Sequence, residues 1–199
     1  MTMSHIAIRH KNSLVFLLLV WEAVVVSLNL FAGSDLLPAF QYAARLSART
    51  SYILIIVLSL WVALTGLNRI FKSPYCRQLL LQLLVLFSIN HVIHLVYVLI
   101  NHYMSNQVLF RAENIPGALI YVLIIVLPLV LACHKETGTR IKLYLYINLN
   151  VILIAFGLTY LSRLLYPQNH LSPGWLYLTF LIVNSIVIIP GVYRIVKEY

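Results

Sequence analysis

Long apolar runs, separated by short polar stretches, dominate the chain. Six of them stand out, roughly Ser13–Phe31, Ser51–Leu67, Leu79–Ile100, Pro116–Cys133, Leu143–Leu161 and Trp175–Tyr193. Each approaches the ~20 residues that cross a hydrocarbon core as a helix, and each is bounded by charge, Pro or Gly. No stretch shows the period-two alternation of a strand. Lipid offers the backbone no hydrogen-bonding partner, so helices are the physical choice. The pattern predicts an all-α membrane protein, a single domain over residues 1–199 forming a bundle of six transmembrane helices. The first run follows Arg9, His10 and Lys11 as a signal peptide would. It continues to about Phe31, longer than an h-region, and reads as a first span.

Composition points the same way. Apolar residues make up 62% of the chain and charged residues 10%, with a mean hydropathy of +0.93. A soluble domain carries about one quarter charged residues to cover its surface. The net charge of +9 lies in short clusters between apolar runs, not on a contiguous basic face, which excludes nucleic acid as a partner and implies a bilayer. Lys and Arg in alternate loops divide unequally. One side holds Arg9, Lys11, Arg69, Lys72, Arg77, Lys135, Arg140, Lys142, Arg194 and Lys197; the other holds Arg45, Arg49, Arg111 and Arg163. The positive-inside rule then places both termini in the cytoplasm of a multi-pass protein of the cell (inner) membrane, with outer loops near Asp35, Glu113 and Gln168.

Several residues refine the bundle. Pro128 should kink the fourth span. Ala155 and Gly157 make a small surface on the fifth, where a helix or a flat cofactor can approach closely. Arg45 and Arg49 suit head-group anchors. Cys76 and Cys133 fall at cytoplasmic ends of spans, lack a CxxC neighbour, and read as free thiols.

The third span carries the chemistry. Asn90, His94, Tyr97 and Asn101 are spaced four, three and four apart, one stripe down a helix. His91 borders that stripe and His102 lies near its outer rim. Two histidines and two amides are costly in hydrocarbon and should face a bundle interior or polar cavity. Neutral imidazole is an axial ligand of haem b, so the stripe reads either as a haem wall or as polar groups tying helices together. Two histidines three apart on one helix cannot reach opposite faces of one haem; a second helix must supply the partner. Glu22, midway along the first span, is a further candidate, able to pair with a histidine or a quinone-like ligand or to bond within the bundle as a neutral acid. His134 reads as solvated, and His170, in the last outer loop, is within reach of the outer mouth. No P-loop, GxGxxG, HExxH or Ser/His/Asp set is present.

From about Ala44 to Leu165 the chain resembles the ferric-reductase-like membrane domain, and within it the haem-binding membrane subunits serving bacterial periplasmic methionine-sulfoxide reductases. The matching pieces are Arg49-Thr50, Ile93-His94-Leu95-Val96-Tyr97, Ile125 to Leu131 around Pro128, the basic loop from Lys135 to Lys142, and Leu158-Thr159-Tyr160-Leu161. The resemblance implies six spans, haem b held by histidines of the third and fifth spans, and electrons passing outward from a separate cytoplasmic flavin donor. His94 falls on the family's third-span histidine. The fifth-span histidines fall on Tyr146 and Thr159, and Leu143–Leu161 contains no histidine. Bis-histidine ligation across those two spans is excluded.

Two functions follow as expectations. One is a membrane electron-transfer subunit of an oxidoreductase, with one haem b at His94 or His91 whose sixth position is empty or filled by a weak ligand, a partner chain or an outer-loop group such as His102 or His170. The other is a haem-free accessory or scaffold subunit of a membrane protein complex. A small transporter ranks below both, because the chain lacks internal repeats and a charged pathway.

Overall fold

A backbone surrounded by lipid must satisfy its own polar groups, and here the chain does so almost entirely as helices. The computed structural model describes residues 15–25, 27–28, 35–106, 115–134, 138–166 and 172–199. The helices are α1 (Val15–Val25), α2 (Leu36–Thr65), α3 (Leu67–Lys72), α4 (Pro74–Met104), α5 (Ile115–Cys133), α6 (Thr139–Leu165) and α7 (Gly174–Glu198). No strand occurs among the described residues. Five of these helices, α2, α4, α5, α6 and α7, are long and apolar enough to cross a membrane. The outer part of the first apolar run, together with Arg111, Glu113, Lys135, Gln168 and His170, lies outside the described residues.

Most spans run beyond the apolar stretches that announce them. The largest difference is α2, which begins at Leu36, fifteen positions before the apolar run at Ser51. Gln41, Arg45 and Arg49 break up hydropathy there without breaking the helix. At 1.5 Å per residue α2 is about 45 Å long, longer than the ~30 Å hydrocarbon core. Ala39, Ala43, Ser47 and Ser51, four apart, are all buried. This strip of small residues lets α4 lie close against α2. α2 is central and touches α4, α6 and α7, whereas α5 packs on α4 and α6.

The two ends of the bundle differ. At the end where α2 finishes, here the Gly66 end, one apolar core gathers Ile55, Leu58, Leu84, Phe87, Leu127, Leu131, Leu149 and Ile152 among others. Gly66 turns the chain there at φ 82°, and a Cβ would meet Glu198 Oε1 at 2.7 Å. Arg194 donates from Nε to the Ala63 carbonyl and from Nη2 to that of Leu64, both at 2.7 Å. Arg77 does the same for the end of α5, reaching the Leu131 and His134 carbonyls at 3.2 and 2.7 Å. These guanidinium groups satisfy carbonyls that a helix end leaves without partners. At the opposite, Asp35 end, an aromatic cluster of Tyr52, Tyr160 and Tyr177 adjoins the site described next.

Antiparallel α6 and α7 interlock through two glycine–asparagine pairs. Asn184 Nδ2 donates to the Leu153 carbonyl at 2.8 Å and lies where a Gly157 Cβ would be. Asn150 lies against Gly191 in the same way. The small surface expected at Ala155 and Gly157 is therefore divided: α7 takes Gly157, and Ala155 remains facing a cleft. Pro128 is buried inside α5, whose helical assignment runs continuously through it.

Candidate functional site

The polar stripe on α4 is split between two faces. Asn90, fully buried, turns to α2, donating from Nδ2 to the Ser47 carbonyl at 3.0 Å and to Ser51 Oγ at 2.6 Å. Ser51 Oγ also meets His91 Nδ1 at 3.1 Å. Tyr97 packs with Val25 and Ala43. Glu22 of α1, 3% exposed, is faced by the hydroxyls of Ser47 and Tyr97, with no well-formed hydrogen bond to either carboxyl oxygen among the described residues. Glu22 thus lies where α1 meets α2 and α4, and its polar neighbours among the described residues are the hydroxyls of Ser47 and Tyr97.

His91 and His94 instead face a cleft of about 160 Å³ lined by α2, α4, α5 and α6. Ala48 forms its back. Gly117 and Tyr121 come from α5, and Ala155, Phe156, Thr159, Tyr160 and Arg163 from α6. His91 is boxed in by rings, with Tyr121 at 4.5 Å, Phe87 at 5.6 Å and Phe156 at 5.7 Å between centroids. His94 lies nearly parallel to Tyr121 at 6.4 Å and 21°. It hydrogen-bonds to the backbone of Ala44, while its Nδ1 is buried without a partner among the described residues. Among the described residues the cleft has no acidic lining. A Cβ built at Gly117 meets nothing within 4 Å among the described residues.

Asn101 and His102, near the end of α4, are half-buried. Asn101 Oδ1 and His102 Nδ1 are buried without partners among the described residues, and neither residue lines the cleft. His134 is exposed and bonds to its own helix at the Val130 carbonyl. Arg49 donates to Ser172 Oγ at 2.8 Å, a bond within the protein where a head-group anchor was expected. The thiols of Cys76 and Cys133 are free. Sequence reasoning missed Tyr121 and Arg163 as members of the site. No local pattern marks them, because their relation to His94 comes only from helix packing.

Tyr146 and Thr159 now have definite places. Tyr146 is buried at the Gly66 end, where it accepts the Leu67 N–H at 2.8 Å and donates to Glu198 Oε1 at 3.2 Å. Its phenol belongs to the helix ends and lies far from the histidines. Thr159 lines the cleft with His94, but its hydroxyl is turned to the Ala155 carbonyl at 2.9 Å. The cleft is smaller than the about 300–1,000 Å³ of pockets that hold drug-sized ligands, and the rings of Tyr121 and Phe156 pack against His91 beside it. Among the described residues no group of three His, Cys, Asp or Glu gathers around a common point. Comparison with protein-family models, curated proteins and solved structures finds no match for this chain.

Proposed function

We propose that the chain is a six-span membrane subunit with both termini cytoplasmic, which keeps a ferric-reductase-like layout without haem and serves a membrane complex as an accessory or scaffold. The observation that carries this reading is the cleft at His91 and His94. Its volume of about 160 Å³ is below that of pockets that hold drug-sized ligands, and packed aromatic rings line it, which supports a haem-free reading. The ten-to-four division of basic residues supports the topology, putting the Gly66 end on the cytoplasmic side. Asn90 and Ser51 support the scaffold role, since they act as polar ties between helices.

One arrangement favours the rival, an electron-transfer subunit with a single haem b. Metal-bound histidines hold a hydrogen bond through the other ring nitrogen; His91 has such a bond to Ser51, and His94 has one to Ala44. The experiment is the haem content of protein purified from cells supplied with excess haem precursor. The scaffold reading expects haem far below one per chain. Stoichiometric haem lost in His94→Ala would establish the rival.

A further inference from the structure

A proline inside a helix removes one hydrogen bond, and in α5 the group that loses it can be named. Pro128 has no N–H to give to the carbonyl four residues earlier, that of Ile124. Ser88 Oγ of α4 donates to that carbonyl instead, at 2.7 Å. Ser88 Oγ also lies 2.9 Å from the Leu84 carbonyl of its own helix. A hydroxyl has one proton, and the Leu84 carbonyl already faces the backbone N–H of Ser88 within α4. The Ile124 carbonyl is the one in need, because a bare carbonyl is costly in hydrocarbon.

This bond divides α5 into two unlike halves. The buried residues of the helix, Ile124, Leu127, Pro128 and Leu131, lie at the bond or beyond it toward the Gly66 end. There Arg77 also ties α5 to α4, through the Leu131 and His134 carbonyls. In the first half, by contrast, residues 115–119 are all exposed. Ile120 and Tyr121 follow them and line the cleft. α4 and α5 are antiparallel, so the step from Ser88 to His91 matches the step from Ile124 back to Tyr121. The Tyr121 and His91 rings accordingly meet at 4.5 Å, about one helical turn from the Ser88 bond.

We propose that the first half of α5, residues 115–123, is a gate on the cleft, hinged between Ile124 and Pro128 and latched by Ser88. Bending concentrates at a proline because one rung of the hydrogen-bond ladder is already missing there. Latched, the gate seats Tyr121 against His91 and His94. Released, Ser88 turns its proton to the Leu84 carbonyl, and Tyr121 leaves with the helix. The cost of baring the Ile124 carbonyl holds the gate shut. The cleft of about 160 Å³ is then the closed state. Opening joins it sideways to lipid, since Leu119 and Val122 on the moving half are exposed apolar residues. The device governs access to the cleft, and it stands apart from the haem-free reading of what the cleft holds.

A single reporter cysteine reads the opening. In full-length protein carrying Cys76→Ser and Cys133→Ser, Ala155→Cys places a thiol on the α6 wall of the cleft, and its rate of reaction with N-ethylmaleimide is measured in detergent. Ser88→Ala should raise that rate about three- to tenfold, the scale of one interhelical hydrogen bond, and should lower the melting temperature. Pro128→Ala returns a helical partner to the Ile124 carbonyl and should slow the reaction below that of the parent. Added to Pro128→Ala, Ser88→Ala should then change neither the rate nor the melting temperature. Gly191→Val, which disturbs the contact of α6 with α7, should leave the rate unchanged, and this separates a gate from general loosening. Equal effects of Ser88→Ala with and without Pro128 would overturn the proposal. So would a rate that rises as much in Gly191→Val as in Ser88→Ala. Should the double variant fail to fold, the single variants carry the test by their opposite signs, and a shift in the same direction would overturn the gate.

Discussion

At the scale of single residues, the cheapest tests lie at the glycines. Gly191 has no room for a side chain, since a Cβ would meet Asn150 Oδ1 at 2.7 Å, whereas Gly117 has open space. Gly191→Val should therefore destabilise the protein by about 1–3 kcal/mol, the usual cost of overpacking, while Gly117→Ala should change it little. Thermal unfolding of both variants in detergent checks the contrast. Asn90→Ala should cost about 1–3 kcal/mol, because it removes two interhelical hydrogen bonds and leaves the Ser47 carbonyl and Ser51 short of a donor. Glu22→Gln should leave stability nearly unchanged, since an amide has the shape of a protonated carboxyl and faces the same hydroxyls of Ser47 and Tyr97. A large drop in melting temperature would show that the carboxyl itself is needed. The costly polar residues of the third span and Glu22 were legible in the sequence because charge and amide stand out against hydrocarbon. Tyr121 and Arg163 were not. Tyrosine is frequent in this chain, and an arginine near a helix end reads as a head-group anchor.

At the scale of elements, hydropathy located the five long helices, missed the short α3 and mistook where helices end. It failed most at α2, where a helix-spaced strip of Ala39, Ala43, Ser47 and Ser51 extends the span through a polar region. Hydropathy reports transfer into lipid; it does not report whether a small-residue face has another helix to meet. Ser47→Leu places a bulky group on that strip and should separate α2 from α4. The expected result is a loss of a few kcal/mol, with the cleft histidines becoming accessible to a histidine-directed reagent. The helix ends offer a further test. Arg194 satisfies two carbonyls of α2 and approaches Glu198 Oε1 at 3.5 Å. Arg194→Ala should cost more than breaking an exposed ion pair, which is worth about 0–1 kcal/mol, because it strands those carbonyls. Glu198→Gln should cost less than Arg194→Ala, and the order of the two melting temperatures decides.

At the scale of the whole molecule, the all-helical, membrane-spanning character was legible from length and hydropathy. The way the helices meet was not, since lipid-facing and helix-facing apolar residues look alike in sequence. Single cysteines at Asp35 and at Lys72 should give opposite results with an impermeant reagent in intact cells, with Asp35 labelled and Lys72 protected. The central claim is that the His91–His94 cleft is not a haem site, and optical titration of the purified, folded protein with haem tests it most directly. A haem seated on His94 would give a sharp Soret band that saturates at one equivalent and is absent in His94→Ala. The account predicts only weak, non-saturating absorbance, the same in the variant as in the unaltered protein. A saturating band that disappears with His94 would contradict it.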